Sequence, residues 1–288
     1  MITRRGVLAF GASTVVARKI LADDARLVPA CYVAHGSPML AVDQKRGAEL
    51  AQWAASMPKP TGIVALTPHW RSRGVRIGHV GRGRALYSFP AFMRRALPAN
   101  LEYATPDNAE LAHVVSDLLA PLDPTMDESR AGFDHTVWMP LMHMFPRADV
   151  PVVEIALPFV QENDLFSLGK RLSLLRLRGV MILASGNATH NLAAMSFGTT
   201  DARPPAPWAK EFDAWTRKTL EARDIPSMLA WRARAPNADL AHPDDGGHFR
   251  VMLVALGAVA RGDAFSSARF PVGGFDGAAQ SNLCVELA

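Results

Sequence analysis

Cysteine is scarce in this chain: 288 residues hold only Cys31 and Cys284, which excludes a disulfide-stapled scaffold and any cysteine-built metal cluster. The two stand near opposite ends and can pair only if folding brings those ends together. No HExxH, CxxC, GxGxxG, GxSxG or P-loop occurs, so no compact motif names the chemistry. Net charge is only +4, and the excess is scattered arginine such as Arg71, Arg73, Arg82, Arg84, Arg94 and Arg95. Without aromatic interleaving or zinc-finger spacing, that pattern argues against nucleic acid as a partner and suits a basic rim facing a small anion. Internal repeats, low-complexity tracts and long linkers are absent too.

The chain opens on "TRRGVLAFGASTVVA", an arginine pair ahead of a weakly apolar stretch, Gly6 to Ala17. That stretch is too short for a stable membrane span. Its basic start has the form of a twin-arginine export signal, which predicts a periplasmic protein. Arg18-Lys19 interrupts the pattern, and the alternative is an amphipathic N-terminal helix on a cytoplasmic protein. Residues 1–25 are set apart from the fold either way, leaving 27–288 as one domain.

Hydrophobic residues make up 49% of the chain and charged ones 20%, enough for a sizeable core. Apolar runs at 27–34, 61–67, 150–157 and 179–184 read as buried strands, and "GVRIGHV" and "SNLCVELA" as shorter ones. Helical spacing predicts helices over 46–57, 106–122, 164–178, 207–222 and 248–260. Residues 80–105, rich in Arg, Pro and aromatics, read as an irregular excursion. This alternation predicts a single-domain α/β fold, a three-layer sandwich with a mainly parallel or mixed central sheet.

Three of those strands end beside a histidine: His35, His69 and His190. In open α/β sheets ligands bind beyond the carboxyl ends of strands, so the three imidazoles can share one crevice. His135 stands in a polar turn ahead of an apolar stretch, and His242 and His248 lie at the entrance to an apolar helix. An imidazole near a helix N-terminus tends to stay neutral, as a metal ligand must. His113 reads as a helix-surface residue, and His79 and His143 as structural. The spacing proposes a histidine-rich site for zinc or non-haem iron and no more.

"HGSP" (35–38), "PHW" (68–70), "DHTVWMPL" (134–141), "GNATHNL" (186–192) and "HPDDGGHF" (242–249) occur in the order seen in extradiol ring-cleavage dioxygenases. Over nearly all of the chain after the leader, it resembles the LigB superfamily and its DOPA 4,5-dioxygenase-like branch. The resemblance implies that His35, His69 and His248 are metal ligands. It makes His190 a further ligand or the acid/base beside the metal, and His135 a proton-handling group in a catechol pocket. The metal it implies is Fe(2+), with Zn(2+) as the ion such a site often holds. Substrate and co-substrate would be a small catechol-type aromatic and O2, and the oligomeric state is open between monomer and homodimer. Two departures stand out: Thr136 where the family usually has Gly, and Gly247 where it usually has an acidic residue.

Such chemistry asks for three protein ligands that leave coordination positions open, and iron oxygenases commonly use two His and one carboxylate. Asp244, Asp245 and Glu154 are alternative carboxylate donors to a third His. A neutral His190 or His135 would take the second catechol proton. Arg71 or Arg73 is expected at the surface or against a substrate carboxylate. Two rival readings are a zinc-dependent hydrolase and a non-catalytic binding protein on the same fold.

Overall fold

Along β1 (Ala30–Ala34), Ala30 and Tyr32 pack into one core, and Cys31 and Val33 into a second. The same alternation divides Val64 and Leu66 from Ile63 and Ala65 on β2 (Gly62–Ser72). On β6 (Val180–Gly186) it divides Ile182 and Ala184 from Met181 and Leu183. A strand apolar on both faces has to be covered on both faces, which is why these runs are continuous rather than alternating. The computed structural model describes residues 27–78, 80–195, 203–262 and 264–288. The leader at 1–25 and His79 lie outside the described residues.

The remaining strands are β3 (Arg76–Gly78), β4 (Thr125–Asp127), β5 (Val152–Pro158), β7 (Ala268–Val272), β8 (Phe275–Asp276), β9 (Gln280–Ser281) and β10 (Cys284–Leu287). Among the described residues eight strands, β1, β2 and β6 included, form one sheet of order β4-β3-β5-β2-β6-β1-β10-β7, and β8 pairs with β9. The central neighbours β5, β2, β6 and β1 run parallel, while β3 meets β5 and β10 meets β1 antiparallel.

Among the described residues six helices reach ten residues: α1 (Gln44–Ala55), α2 (Ala109–Leu119), α3 (His135–Met144), α4 (Glu162–Arg176), α5 (Pro207–Glu221) and α6 (Gly247–Val259). Helices α1 and α3 cover one face of the sheet; α2, α4, α5 and α6 cover the other. The result is the three-layer α/β sandwich with a mixed sheet that the sequence predicts. Helix ends follow local chemistry: Asp43 accepts from Arg46 N at the start of α1, and Gln161 with Asp164 forms a capping box on α4. No helix among the described residues is long and apolar enough to cross a membrane.

Three elements differ from the sequence reading. β2 does not stop at Thr67 but runs to Ser72 through a register shift against β5. Residues 134–144 are not a turn and an apolar stretch but a capped helix, with Asp134 accepting from Thr136 N. β7 goes beyond the sequence reading: "ARFPV" carries a proline and mixed polarity, features that suit the sheet edge it occupies. Residues 80–105 are irregular as read, apart from a six-residue helix at Ala91–Ala96. The fold also brings the two ends of the chain together, since β1 pairs with β10, yet Cys31 and Cys284 are both buried and free.

Helices α4 and α6 approach closely where glycines meet. A Cβ on Gly169 would run into the Val254 carbonyl, and one on Gly257 into the Phe166 carbonyl. Backbone cannot swing aside as a side chain can. Gly257→Ala is therefore expected to cost about 2 kcal/mol or more, as overpacking does, read as a drop in the urea midpoint. Gly74→Ala, which meets nothing within 4 Å, should change stability by less than about 0.5 kcal/mol.

Candidate metal centre

Strand ends deliver the first imidazoles. His35 follows β1 directly, its N–H bound to the Gly186 carbonyl at the end of β6 (3.0 Å). His69 arrives differently. One step along β5, from Ala156 to Leu157, is matched by four along β2, from Thr67 to Arg71. Pro68, His69 and Trp70 therefore leave the ladder as a bulge, which re-aims the side chain. His248 comes from the first turn of α6.

The three rings form a nearly equilateral group, with centroids 5.4 Å apart for His35–His69, 5.3 Å for His35–His248 and 5.3 Å for His69–His248. One ligand nitrogen from each lies within 4.8 Å of the others. His69 Nε2 and His248 Nε2 are only 3.3 Å apart. Two lone pairs at that distance repel unless a proton or a metal ion lies between them. Burial pushes the pKa of His35 and His248 well below the ordinary value, with the neighbouring histidines adding to the effect, so both are held as neutral imidazoles, the form that ligates a metal. A divalent metal fits this donor set.

Outer hydrogen bonds orient the rings. His35 Nδ1 is 3.0 Å from Ser185 Oγ, whose own hydrogen goes to the Thr136 carbonyl (2.5 Å). Nδ1 therefore carries the His35 proton and Nε2 the lone pair, which meets the Asn187 amide at 3.0 Å. His69 closes a ring of bonds on itself. Its backbone N–H donates to Thr67 Oγ1 (3.3 Å), Thr67 and Thr136 share a hydroxyl bond (2.6 Å), and Thr136 donates to Asp134 Oδ1 (2.7 Å). Asp134 Oδ1 in turn faces His69 Nδ1 at 3.3 Å.

Asp134 serves a second imidazole as well. His135 Nδ1 lies 3.2 Å from the same oxygen, and Ser88 Oγ bridges Asp134 Oδ2 and His135 Nδ1. Burial pushes the Asp134 carboxyl up, but bonds from His135 and His69 outweigh it and hold the group well below the usual carboxylate range. With Nδ1 so engaged, Nε2 is the free ring nitrogen of His135, and the ring makes a T-shaped contact with Phe89 (4.9 Å between centroids).

A profile for the catalytic LigB subunit of aromatic ring-opening dioxygenase matches residues 29–283. The chain belongs to this family. It is 33% identical over 239 residues to a protein of Beta vulgaris named 4,5-DOPA dioxygenase extradiol, covering 79% of this chain and 85% of that one. An Escherichia coli K12 protein of the same name is 28% identical over 286 residues, covering 95% and 99%. The crystal structure of an uncharacterized Escherichia coli K12 protein superposes with a TM-score of 0.74 at 28% identity, covering 91% of this chain and all of that one.

The other histidines of this family member divide clearly. His190 stacks on His248, centroids 3.5 Å apart and planes 9° off parallel, and groups with Asp244 and His248 rather than with the three-imidazole set. Burial lowers its pKa to about 4. His242 sits in an aromatic cage of Phe212, Trp231 and Phe249, bonded to the Ala188 carbonyl and away from the centre. His113 is exposed, and His143 bonds the Leu40 carbonyl.

Of the alternative carboxylates, Asp244 lies beside His190 and His248, Asp245 pairs with Arg71 (2.7 Å), and Glu154 pairs with Arg130 (2.9 Å). The sequence reading missed Asp134, although an Asp directly ahead of an apolar helix is a recognisable cap signal. It also missed Ser88, Ser185 and Asn187 as orienting groups, for which no local signal exists.

Glu154 is a support for the centre. Burial pushes its carboxyl up to about 7 against the pull of Arg130, and its Oε2 accepts from Asp134 N (3.3 Å). Arg130→Met leaves that carboxyl buried without a cation, at a cost of about 3 to 5 kcal/mol at pH 8. A neutral carboxyl tolerates burial better, so the cost should shrink at pH 5.5, where Glu154 takes up a proton in the folded variant. Urea denaturation at the two pH values reads this; a cost that grows toward pH 5.5 would contradict it.

Proposed function

We propose that this protein is an extradiol dioxygenase that opens a catechol ring with O2, on a metal ion held by His35, His69 and His248. The observation that carries the reading is the convergence of three imidazoles on one point. The ring nitrogens remote from that point on His35 and His69 are engaged by Ser185 and Asp134. The family and the relatives named 4,5-DOPA dioxygenase extradiol support a catechol as the substrate class. Ferrous iron is the metal this chemistry calls for, because it supplies a centre where catechol and dioxygen meet and exchange electrons.

The chain's own residues have distinct tasks around that centre. His135, with Nδ1 held by Asp134 and Ser88, presents Nε2 as the acceptor for a catechol hydroxyl proton. His190 is the second proton-handling group; its burial keeps it uncharged and able to accept. Its stacking on His248, outside the three-imidazole group, supports a role beside the metal rather than as a primary ligand. Phe89, edge-on to His135, supplies an apolar wall against which an aromatic ring can pack.

Metal analysis with an oxygen electrode tests the reading. Iron-loaded protein is expected to consume O2 with simple catechols, and His35→Ala and His248→Ala should each lose the metal. His135→Ala should keep the metal while turnover falls by about 10²- to 10⁴-fold, the range for losing a general base. Zinc-dependent hydrolysis without oxygen uptake, or a metal-free His135→Ala protein, would sink the assignment.

A further inference from the structure

Two of the three proposed ligands stand on backbone that has little rigidity of its own. His69 lies in the β2 bulge, outside the sheet ladder. His248 follows a turn in which Gly246 has φ +73° and Gly247 is the first residue of α6. Such segments are conformationally permissive. On its inner side the His248 backbone is tied down, since its carbonyl accepts from Tyr32 Oη (2.8 Å) and Asn187 N (3.2 Å). On its outer side an ion pair reaches across to the residue at which β2 rejoins the ladder after the bulge: Arg71 Nη2 to Asp245 Oδ2, at 2.7 Å.

We propose that the Arg71–Asp245 pair is a positioning clamp that sets the separation of His69 and His248 and thereby the metal affinity of the centre. Arg71 is two residues beyond His69, and Asp245 three before His248. Asp245 is itself fixed: Oδ1 accepts from Gly247 N (3.0 Å), and a second guanidinium, Arg250, lies 3.7 Å from Oδ2. Arg250 continues the chain of contacts to Glu162 of α4 (3.0 Å). Arg71 is held from its other side, its guanidinium 4.3 Å over the Phe159 ring, and its side chain is only 16% exposed.

Gly247 is what lets the clamp close. A Cβ there would come within 2.7 Å of Arg71 Nη1 and 3.2 Å of Pro68 Cβ, in the space the guanidinium now uses. The Arg71 charge faces Asp245 and its plane lies over Phe159. Exposed ion pairs contribute little. This one acts between two ligand-bearing segments, where residues that orient metal ligands change affinity by about 10- to 100-fold.

The inference rests on the metal-centre reading, and metal binding by the unaltered protein is the control that separates the two. Affinity for Zn²⁺ is measured by competition with a chromophoric chelator, and geometry by the visible spectrum of the Co²⁺-loaded protein. Arg71→Met and Asp245→Asn should each weaken binding about 10-fold. The double variant should also weaken it about 10-fold and not 100-fold, because both changes remove one interaction. Arg71→Lys should recover part of the loss, and Arg73→Met, at an exposed neighbour, should change nothing. The Co²⁺ bands should shift in the clamp variants alone. If Arg71→Met fails to fold, Asp245→Asn reads the same pair from its more exposed side. Unchanged affinity with KM raised only for anionic catechols would move Arg71 to substrate binding and overturn the clamp. Additive losses would overturn it too. Absence of metal binding in the unaltered protein would instead remove the metal-centre reading.

Discussion

Three imidazole rings crowd around one point, and burial holds two of them, His35 and His248, in the neutral form. That constraint organises the rest of the molecule. His69 Nε2 and His248 Nε2 face each other at 3.3 Å in a pocket that lowers the pKa of His248 and His35 alike. Such a group persists only if the surroundings hold each ring from behind. Ser185 does this for His35, and Asp134 for His69, within a closed circuit through Thr67 and Thr136. The proposed metal would be held by the nitrogens these contacts present.

Asp134 shows how the scaffold and the site share parts. It caps α3, accepts from both His69 and His135, and has its own N–H held by Glu154, which Arg130 neutralises. One carboxylate so ties an outer-layer helix, the β2 bulge and β5 to two functional rings. Thr136 extends this circuit: it is buried and bonds Thr67 and Asp134. The close contact of α4 with α6 fixes, by packing rather than polarity, the helix on which His248 rides.

Much of this was legible in the residues. Continuous apolar runs marked strands buried on both faces, and helical spacing placed five of the six longer helices to within a few residues. Three histidines at strand ends pointed to a shared crevice, and His35 and His69 do meet there with His248. The bulge in β2 was not legible, because nothing in "TPHWRS" says how many residues will leave a ladder whose partner lies about 90 positions away. Nor was the edge strand β7, whose mixed polarity reflects exposure on one side.

By itself the sequence determined the layer architecture and the supply of donors, since periodicity and residue type are local properties that burial must respect. It also carried the family motifs in order. Only the tertiary structure decided which donors converge. It set His190 against the face of His248, walled His242 into an aromatic cage, and gave Asp134 to two imidazoles at once. It also committed Arg71 to Asp245 instead of to solvent. Those choices depend on angstrom-scale distances between segments far apart in the chain, and such distances are properties of packing that no local pattern records.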